Sequence, residues 1–269
     1  MTNAACAPNG KVYNAGYHRK TDKTAIPVCT ILGVDIAAVN MAWFIRYVTE
    51  NIGALSGDYV CVTCVHSIVM AYERPDYAKC QNGGIAAVAD GGSLSSLSQK
   101  RGYREAGRIT GPDLMAEVMR ISAAKGYRHY FYGSSEETLG KLNQRLQEQY
   151  PGLQVAGMYS PPFRMLTQAE DNAVMQRINE ARADFVWVGL GAPKQEVWMA
   201  NHQGKVNGLM VGVGAGFDYL AGNIDRAPQW MQRLHLEWLY RVFQDPGRLA
   251  GRYLHAVPKL FWNAYIRGR

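Results

Sequence analysis

Apolar runs of four to six residues recur along the chain, each bounded by Gly, Pro, Asp or Ser. They fall at Val28–Leu32, Tyr59–Cys64, Ile85–Ala89, His129–Tyr132, Gln154–Met158, Phe185–Val188 and Leu209–Val213. Runs of this kind predict strands. Helix-period patterns fill the gaps at Val39–Ile52, Pro112–Lys125, Glu136–Tyr150, Thr167–Ala181 and Pro193–Asn201. Pro112 after Gly111 and before Asp113 opens a helix favourably, and Gly126 supplies a stop. Alternation at this spacing predicts an α/β fold, a Rossmann-like doubly wound and mainly parallel sheet. It would occupy residues 25–225, after a flexible leader over 1–24 and before a basic amphipathic helical appendage over 226–269. Ligands of such sheets bind beyond the strand carboxyl ends, so the chemistry is sought there.

The stretch Ala25–Ile45 carries a single charge, Asp35, and would pass a hydropathy scan. Pro27, Gly33, Asp35 and Asn40 break it into a short strand, a turn and a helix start, which argues against a membrane span. The N-terminus has no basic-then-apolar signal pattern. At 269 residues with 48% hydrophobic and 19% charged positions, the chain can bury a core and is not a disordered one. Cys61 and Cys64 form a CxxC, but within an apolar strand they point to opposite faces, which disfavours a shared metal. The five cysteines read as reduced thiols of a cytosolic chain.

Charge changes the picture at one end. The net charge is +7, with a pI near 9.1. From Arg226 to Arg269 there are eight Lys/Arg residues and two acids, Glu237 and Asp245. Apolar and aromatic side chains are interleaved there, among them Trp230, Leu234, Trp238, Phe243, Leu249 and Tyr253. One reading is a helical cap packed on the sheet. The favoured one is an amphipathic segment that meets an anionic membrane and a pyrophosphate.

The familiar catalytic signatures are missing: the sequence has no Walker A, HExxH, GxSxG or Asp-x-Asp. No nucleic-acid-binding module is recognisable. Gly212–Gly216 imitates a dinucleotide loop, which keeps an NAD-type Rossmann oxidoreductase as an alternative. Three glycine-rich strand ends remain. Asp90-Gly91-Gly92 follows a strand, where a general base belongs, although Asp90 could equally cap a helix over Gly92–Lys100. Gly189-Leu190-Gly191 leads into Pro193-Lys194-Gln195-Glu196, a helix start suited to phosphate or ribose. Gly212–Asp218 repeats the arrangement and is followed by Arg226.

Taken in order, ADGGS, GRITGPDL, FYGS, VWVGLGAPKQEVWM, GVGAGFDYLAGNIDRAPQW and LEWLYRVFQDPGRLAGRY resemble the WecG/TagA/CpsF glycosyltransferases, family 26 of that class. The resemblance covers about Val28 to Tyr253. It implies an inverting, metal-independent transfer, with no cofactor, from a UDP-sugar to an undecaprenyl-pyrophosphate-linked saccharide. The donor would be UDP-N-acetylmannosamine or a related hexose or uronic acid. Such an enzyme works on the cytoplasmic face of the bacterial plasma membrane, in making cell-surface polymers such as teichoic acid. By the same resemblance Asp90 is the base and Thr63 accompanies it. Gln195, Glu196 and Asp218 lie near the nucleotide-sugar, and Arg226, Arg233 and Arg241 hold the lipid pyrophosphate. Gly91, Gly133, Gly189, Gly191, Gly214 and Tyr132 belong to the substrate-facing turns, and Arg108 ranks next as a phosphate ligand or the partner of an acid. One departure stands out: Cys64 follows Thr63 where relatives commonly carry Asn nearby, which bears on the donor's identity.

The chemistry agrees. A sugar hydroxyl attacking an anomeric carbon needs one carboxylate to take its proton, and an ordinary carboxyl pKa of about 3.9 would serve. Departing UDP needs arginines and helix N-termini to meet its charge. A non-catalytic nucleotide-binding subunit is a further alternative, and nothing decides between monomer and homo-oligomer. His66, His129, His202 and His255 lack metal spacing and read as surface or helix-start residues, and Trp187 as core.

Overall fold

The computed structural model describes residues 17–234 and 236–266; the side chains of Arg233, Arg248, Tyr265 and Ile266 are outside those described. Eight strands form one sheet in the order β1-β2-β4-β3-β8-β7-β5-β6. They are β1 Val28–Ile31, β2 Val34–Ala37, β3 Tyr59–Thr63, β4 Ala86–Ala89, β5 Arg128–Gly133, β6 Gln154–Tyr159, β7 Phe185–Gly189 and β8 Leu209–Gly212. Only β1 and β2 pair antiparallel; every other pair is parallel.

Strand alternation divides the core. Tyr130, Tyr132, Val186, Val188 and Met210 face one layer, and Phe131, Phe185, Trp187, Leu209 and Val211 face the other. The first layer is covered by α2 (Val65–Glu73), α3 (Pro75–Gly83), α7 (Gln168–Glu180) and α8 (Lys194–His202). The second is covered by α1 (Met41–Asn51), α5 (Gly111–Lys125), α6 (Glu136–Gln149) and α9 (Gly216–Ala221). Helices on both faces make the sheet doubly wound, and β3, β4, β7 and β8 are apolar nearly throughout because no face is left for water. Local signals set the ends: Thr110 caps α5 with Pro112 in the first turn, Gly126 closes it left-handed, and Thr167 with Glu170 forms a capping box on α7.

Several expectations are corrected. Ala25–Ile45 holds a second strand, β2, because Leu32-Gly33 turns the chain back into a hairpin. The run from Val65 to Gly83, to which the pattern assigns no element, is two helices, α2 and α3, and Arg74-Pro75 separates them. Residues 17–24, placed in a flexible leader, are tied down: Arg19 pairs with Asp58, and Lys23 Nζ donates to the Asn82 and Gly84 carbonyls. The rest of the leader, residues 1–16 with Cys6, lies outside the described residues. His129 is not a surface group. It is fully buried, Nδ1 accepts from Trp187 Nε1 at 3.0 Å, and burial pulls its pKa down to about 3. His202 is buried too, held between Asp171 Oδ2 at 3.0 Å and the Trp198 carbonyl at 2.8 Å.

The C-terminal segment is helical: α10 Gln229–Arg233, α11 Glu237–Gln244, α12 Pro246–Leu260 and a π-helical turn at Phe261–Ile266. Helix α12 lies on α2, where the Glu73 carboxylate takes His255 Nε2 at 2.8 Å and also Lys259. Its Ala256 and Leu260 join the core. Among the described residues no helix is long and apolar enough to cross a membrane.

Gly133 ends β5 at φ +122°, and a Cβ there would stand 2.6 Å from the Gly189 backbone at the end of β7. Both the conformation and the space exclude a side chain. Gly133→Ala is expected to lower stability by about 2–3 kcal/mol, seen as a lower urea midpoint at unchanged slope. A midpoint within error of the parent would refute this packing role.

Candidate active site

The parallel strands β3, β4, β7 and β8 all end at one cavity of about 290 Å³. Each is followed there by a helix start or a glycine turn: Val65–Ser67 after β3, Gly91–Ser93 after β4, Gly191 after β7, and Gly214–Gly216 after β8. The strand order reverses direction at this point, since β4 leads by α4 (Gly92–Lys100) and α5 to the far side of β8. The first turn of α5 adds Gly111 and Pro112 to the lining. The N–H groups of these helix starts give the wall a positive character.

Asp90 stands on the cavity wall, half-buried. Its N–H donates to the Thr63 carbonyl at 2.8 Å, continuing the β3–β4 register by one residue. It does not cap α4. The N-cap is Gly91, at φ +115°, a conformation that turns the chain away and leaves the Asp90 carboxylate without a capping bond. Among the described residues none donates a hydrogen bond to that carboxylate. Burial pushes its pKa up to about 6, Glu237 pushes the same way, and Arg241 and Arg108 pull it down. The ordinary carboxyl value expected from sequence is therefore replaced by a more basic one, still mostly ionised at pH 7.

Gln195 is 3% exposed and joins two of the turns. Its Oε1 accepts from the Gly191 N–H at 3.2 Å and from the Gly214 N–H at 3.0 Å. Its Nε2 donates to Glu196 Oε1 at 3.0 Å. Glu196 is fully buried beside it, and burial raises its carboxyl above the usual range.

The far wall comes from the C-terminal helices, through Trp238 and Arg241 of α11 and Leu249, Arg252, Tyr253 and Leu260 of α12. A four-charge network holds α11 in place. Arg108 reaches Glu237 Oε2 at 2.9 Å and Asp113 Oδ2 at 3.4 Å. Arg226 grips Asp113 with both terminal nitrogens, at 2.8 and 3.2 Å. Against the upward push of burial, Arg226 and Thr110 hold the Asp113 carboxyl below its usual range. Arg241 sits 5.2 Å from the Tyr219 ring centre, and neither it nor Arg252 is ion-paired to a described side chain.

Asp90, Gly91, Arg108, Gly191, Gln195, Glu196, Gly214 and Arg241 are thus brought together at the cavity. Others are not. The Thr63 hydroxyl is buried and donates to Gln81 Oε1 at 2.7 Å. Tyr132 is buried against Trp198, ring centres 4.6 Å apart, while Gly133 and Gly189 pack against each other and Phe217. Asp218 Oδ1 accepts from Asn223 Nδ2 at 3.2 Å, away from the cavity. Arg226 is committed to Asp113, and the Arg233 side chain is outside the described residues. Sequence reading missed Arg252, Trp238 and Tyr253 as a wall. The helical spacing of Leu249, Arg252, Tyr253 and Leu260 was the available signal. His66, read as a helix-start residue, opens α2 and also lines the cavity. Cys64 is a free thiol at the N-cap of α2, with burial raising its pKa.

An open parallel sheet with an anion-receptive cavity at its switch point defines a Rossmann-like, doubly wound α/β protein. Residues 29–269 match the model of the glycosyl transferase WecG/TagA/CpsF family, and the chain belongs to that family. It is 28% identical over 231 residues to an N-acetylglucosaminyldiphosphoundecaprenol N-acetyl-beta-D-mannosaminyltransferase of Staphylococcus aureus (strain MW2), covering 85% of this chain and 88% of that one. The protein of the same description from Bacillus subtilis (strain 168) is also 28% identical, over 221 residues, covering 81% and 84%. The run Gly212–Gly216 leads into α9, a six-residue helix, and serves this cavity rather than a dinucleotide loop.

The raised pKa fixes a sign for stability. A carboxyl whose pKa rises from 3.8 to about 6 on folding destabilises the fold above pH 6, and that cost vanishes as pH falls below about 4. Asp90→Asn is expected to be more stable than the parent at pH 8, by on the order of 1–2 kcal/mol after allowing for partial exposure. It should be indistinguishable at pH 4. Melting temperatures across that range check it, and a variant less stable at pH 8 would contradict the assignment.

Proposed function

We propose that the protein is an inverting glycosyltransferase that moves a sugar from a UDP-sugar to a saccharide carried on a lipid pyrophosphate, without a metal ion, at the inner face of the plasma membrane. The observation that carries this is Asp90: a carboxylate of raised pKa that accepts no hydrogen bond from the described residues, in a cavity that also holds helix starts and two arginines, Arg241 and Arg252, paired with no described carboxylate. The relatives' names supply the acceptor chemistry, a sugar on diphosphoundecaprenol, and N-acetylmannosamine as the transferred sugar.

The steps follow from charge. Asp90 takes the proton of the acceptor hydroxyl as that oxygen attacks the anomeric carbon, and the bond to the UDP β-phosphate breaks on the opposite side. The N–H groups in the first turns of α2 and α4, beside the glycine turns that Gln195 clamps, meet the charge that grows on the leaving diphosphate. Arg241 and Arg252, which pair with no carboxylate among the described residues, are the ligands for the lipid pyrophosphate. Arg226 is reassigned to holding the appendage. Asp90 near pH 6 is a stronger base than an ordinary carboxylate and remains mostly ionised at neutral pH.

The outer surface supports a membrane partner. Trp230, Phe243, Leu254, Phe261 and Trp262 of the C-terminal helices, with Leu234 just after α10, are all more than half exposed. Such a patch beside a basic segment suits an anionic lipid surface.

UDP release from a panel of UDP-sugars, with and without a lipid-pyrophosphate-linked acceptor and in EDTA, tests the reaction. Release should depend on the acceptor, favour one donor and survive EDTA. Asp90→Asn should lose about 10²–10⁴-fold in turnover while still binding UDP. Full activity in that variant would remove Asp90 as base, and UDP binding without release from any donor would favour a non-catalytic role.

A second measurement separates the arginines. Arg241→Ala and Arg252→Ala should each raise the acceptor KM on the order of tenfold or more. Arg226→Ala should chiefly lower the melting temperature. Replacing Leu254, Phe261 and Trp262 with Ser should weaken binding to phosphatidylglycerol vesicles without lowering the melting temperature. Unchanged vesicle binding would reduce that face to an ordinary surface.

A further inference from the structure

We infer that Glu196 is a positioning residue that acts through Gln195, holding its amide in the orientation that clamps the two glycine turns at the ends of β7 and β8. This rests on the reading that the cavity takes a nucleotide-sugar, whose phosphates those turns would meet.

A buried amide can stand in two orientations related by a half-turn. In the one observed, Gln195 Oε1 receives two main-chain N–H groups, from Gly191 and Gly214, while Nε2 faces the Glu196 carboxyl at 3.0 Å. Turned over, Nε2 would oppose two N–H donors and Oε1 would oppose Glu196 Oε1. Every contact would then be repulsive in a site with almost no water access. Removing the Glu196 acceptor leaves the Nε2 hydrogens buried without a partner, and the clamp loses half of what selects it.

Behind Glu196 lies a buried polar group. Glu196 Oε2 is buried without a hydrogen bond, alongside the Tyr77 phenol. That phenol accepts from Gln81 Nε2 at 2.8 Å, and Gln81 Oε1 accepts from the Thr63 hydroxyl at 2.7 Å. A column of polar groups therefore runs from Thr63 through Gln81, Tyr77 and Glu196 to Gln195. Its near end holds two cavity turns, and at its far end the Thr63 carbonyl takes the Asp90 N–H. This accounts for Thr63 and Glu196, neither of which needs to touch substrate.

The test is amide hydrogen exchange at Gly191 and Gly214 in the full chain, paired with donor kinetics. Glu196→Ala should speed exchange at both glycines on the order of tenfold and raise the donor KM by a similar factor, with a smaller change in kcat. Glu196→Gln keeps an acceptor oxygen and should restore protection at both positions. If Glu196→Ala fails to fold, Glu196→Met fills the volume without an acceptor and serves as the same test. Unchanged exchange in the acceptor-less variant, or equal loss in Glu196→Gln, would overturn the positioning role. Faster exchange with an unmoved donor KM would overturn its link to the donor. Exchange needs no turnover, so a parent protein that fails to bind UDP would refute the proposed function and leave the clamp to be judged on its own.

Discussion

A parallel sheet covered by helices on both faces has one place to offer a polar ligand, its carboxyl edge, and here that constraint governs the site. Four strands end together, and after each the chain turns into a helix start or a glycine turn whose N–H groups look back at the edge. Each helix N-terminus is worth about half a positive charge locally, and in a recess sheltered from salt several of them favour an anion strongly. Such a field should also lower the pKa of a carboxylate. Asp90 nevertheless sits near 6, because burial and the neighbouring Glu237 outweigh the arginines. Burial therefore sets the direction of the shift against the pull of the arginines.

The network of Arg108, Asp113, Arg226 and Glu237 sorts the basic residues of the C-terminal segment. Two arginines and two acids neutralise each other and fasten α10 and α11 to the start of α5. Pairs of this kind are half-exposed, and none would contribute much alone; shared carboxylates and bidentate geometry make the group worth more than its members. Arg241 and Arg252 are left with charge to spare at the cavity. Glu237 takes part in both arrangements: it docks α11 and it helps raise Asp90. Seating of the appendage and basicity of the carboxylate are therefore linked through one side chain.

Most of the fold was legible because a doubly wound sheet is written in short apolar runs and capped helices, and seven of its eight strands were read within a residue or two. The hairpin strand β2 escaped because Asp35, at its second position, reads as a break beside Gly33. Helices α2 and α3 escaped because α2 is too apolar to show a polar face. At the site, residues identified by a glycine turn at a strand end, such as Asp90 and Gly191, do reach the cavity. Tyr132 turns into packing and Asp218 turns to Asn223 and Thr138, away from the cavity, and neither spacing nor resemblance carries that direction. Arg226 shows the same limit for charge: a count locates a basic segment, whereas only tertiary contacts tell a free arginine from a committed one.

The two faces of α12 bear on how a lipid-linked acceptor would be handled in the proposed function. Leu249, Arg252, Tyr253 and Leu260 look into the cavity, and Leu254 with the following Phe261 and Trp262 looks outward. A pyrophosphate attached to a long hydrocarbon cannot leave the lipid surface without exposing its tail, at about 0.8 kcal/mol for each CH₂. In that function the cavity would have to be brought to the headgroup layer. A wall helix with its outer side in that layer would do this directly, because the depth at which Leu254 and Trp262 settled would also fix the height of Arg252 relative to the phosphates. Membrane docking and acceptor recognition then become one geometric requirement, met by the spacing of residues around a single helix.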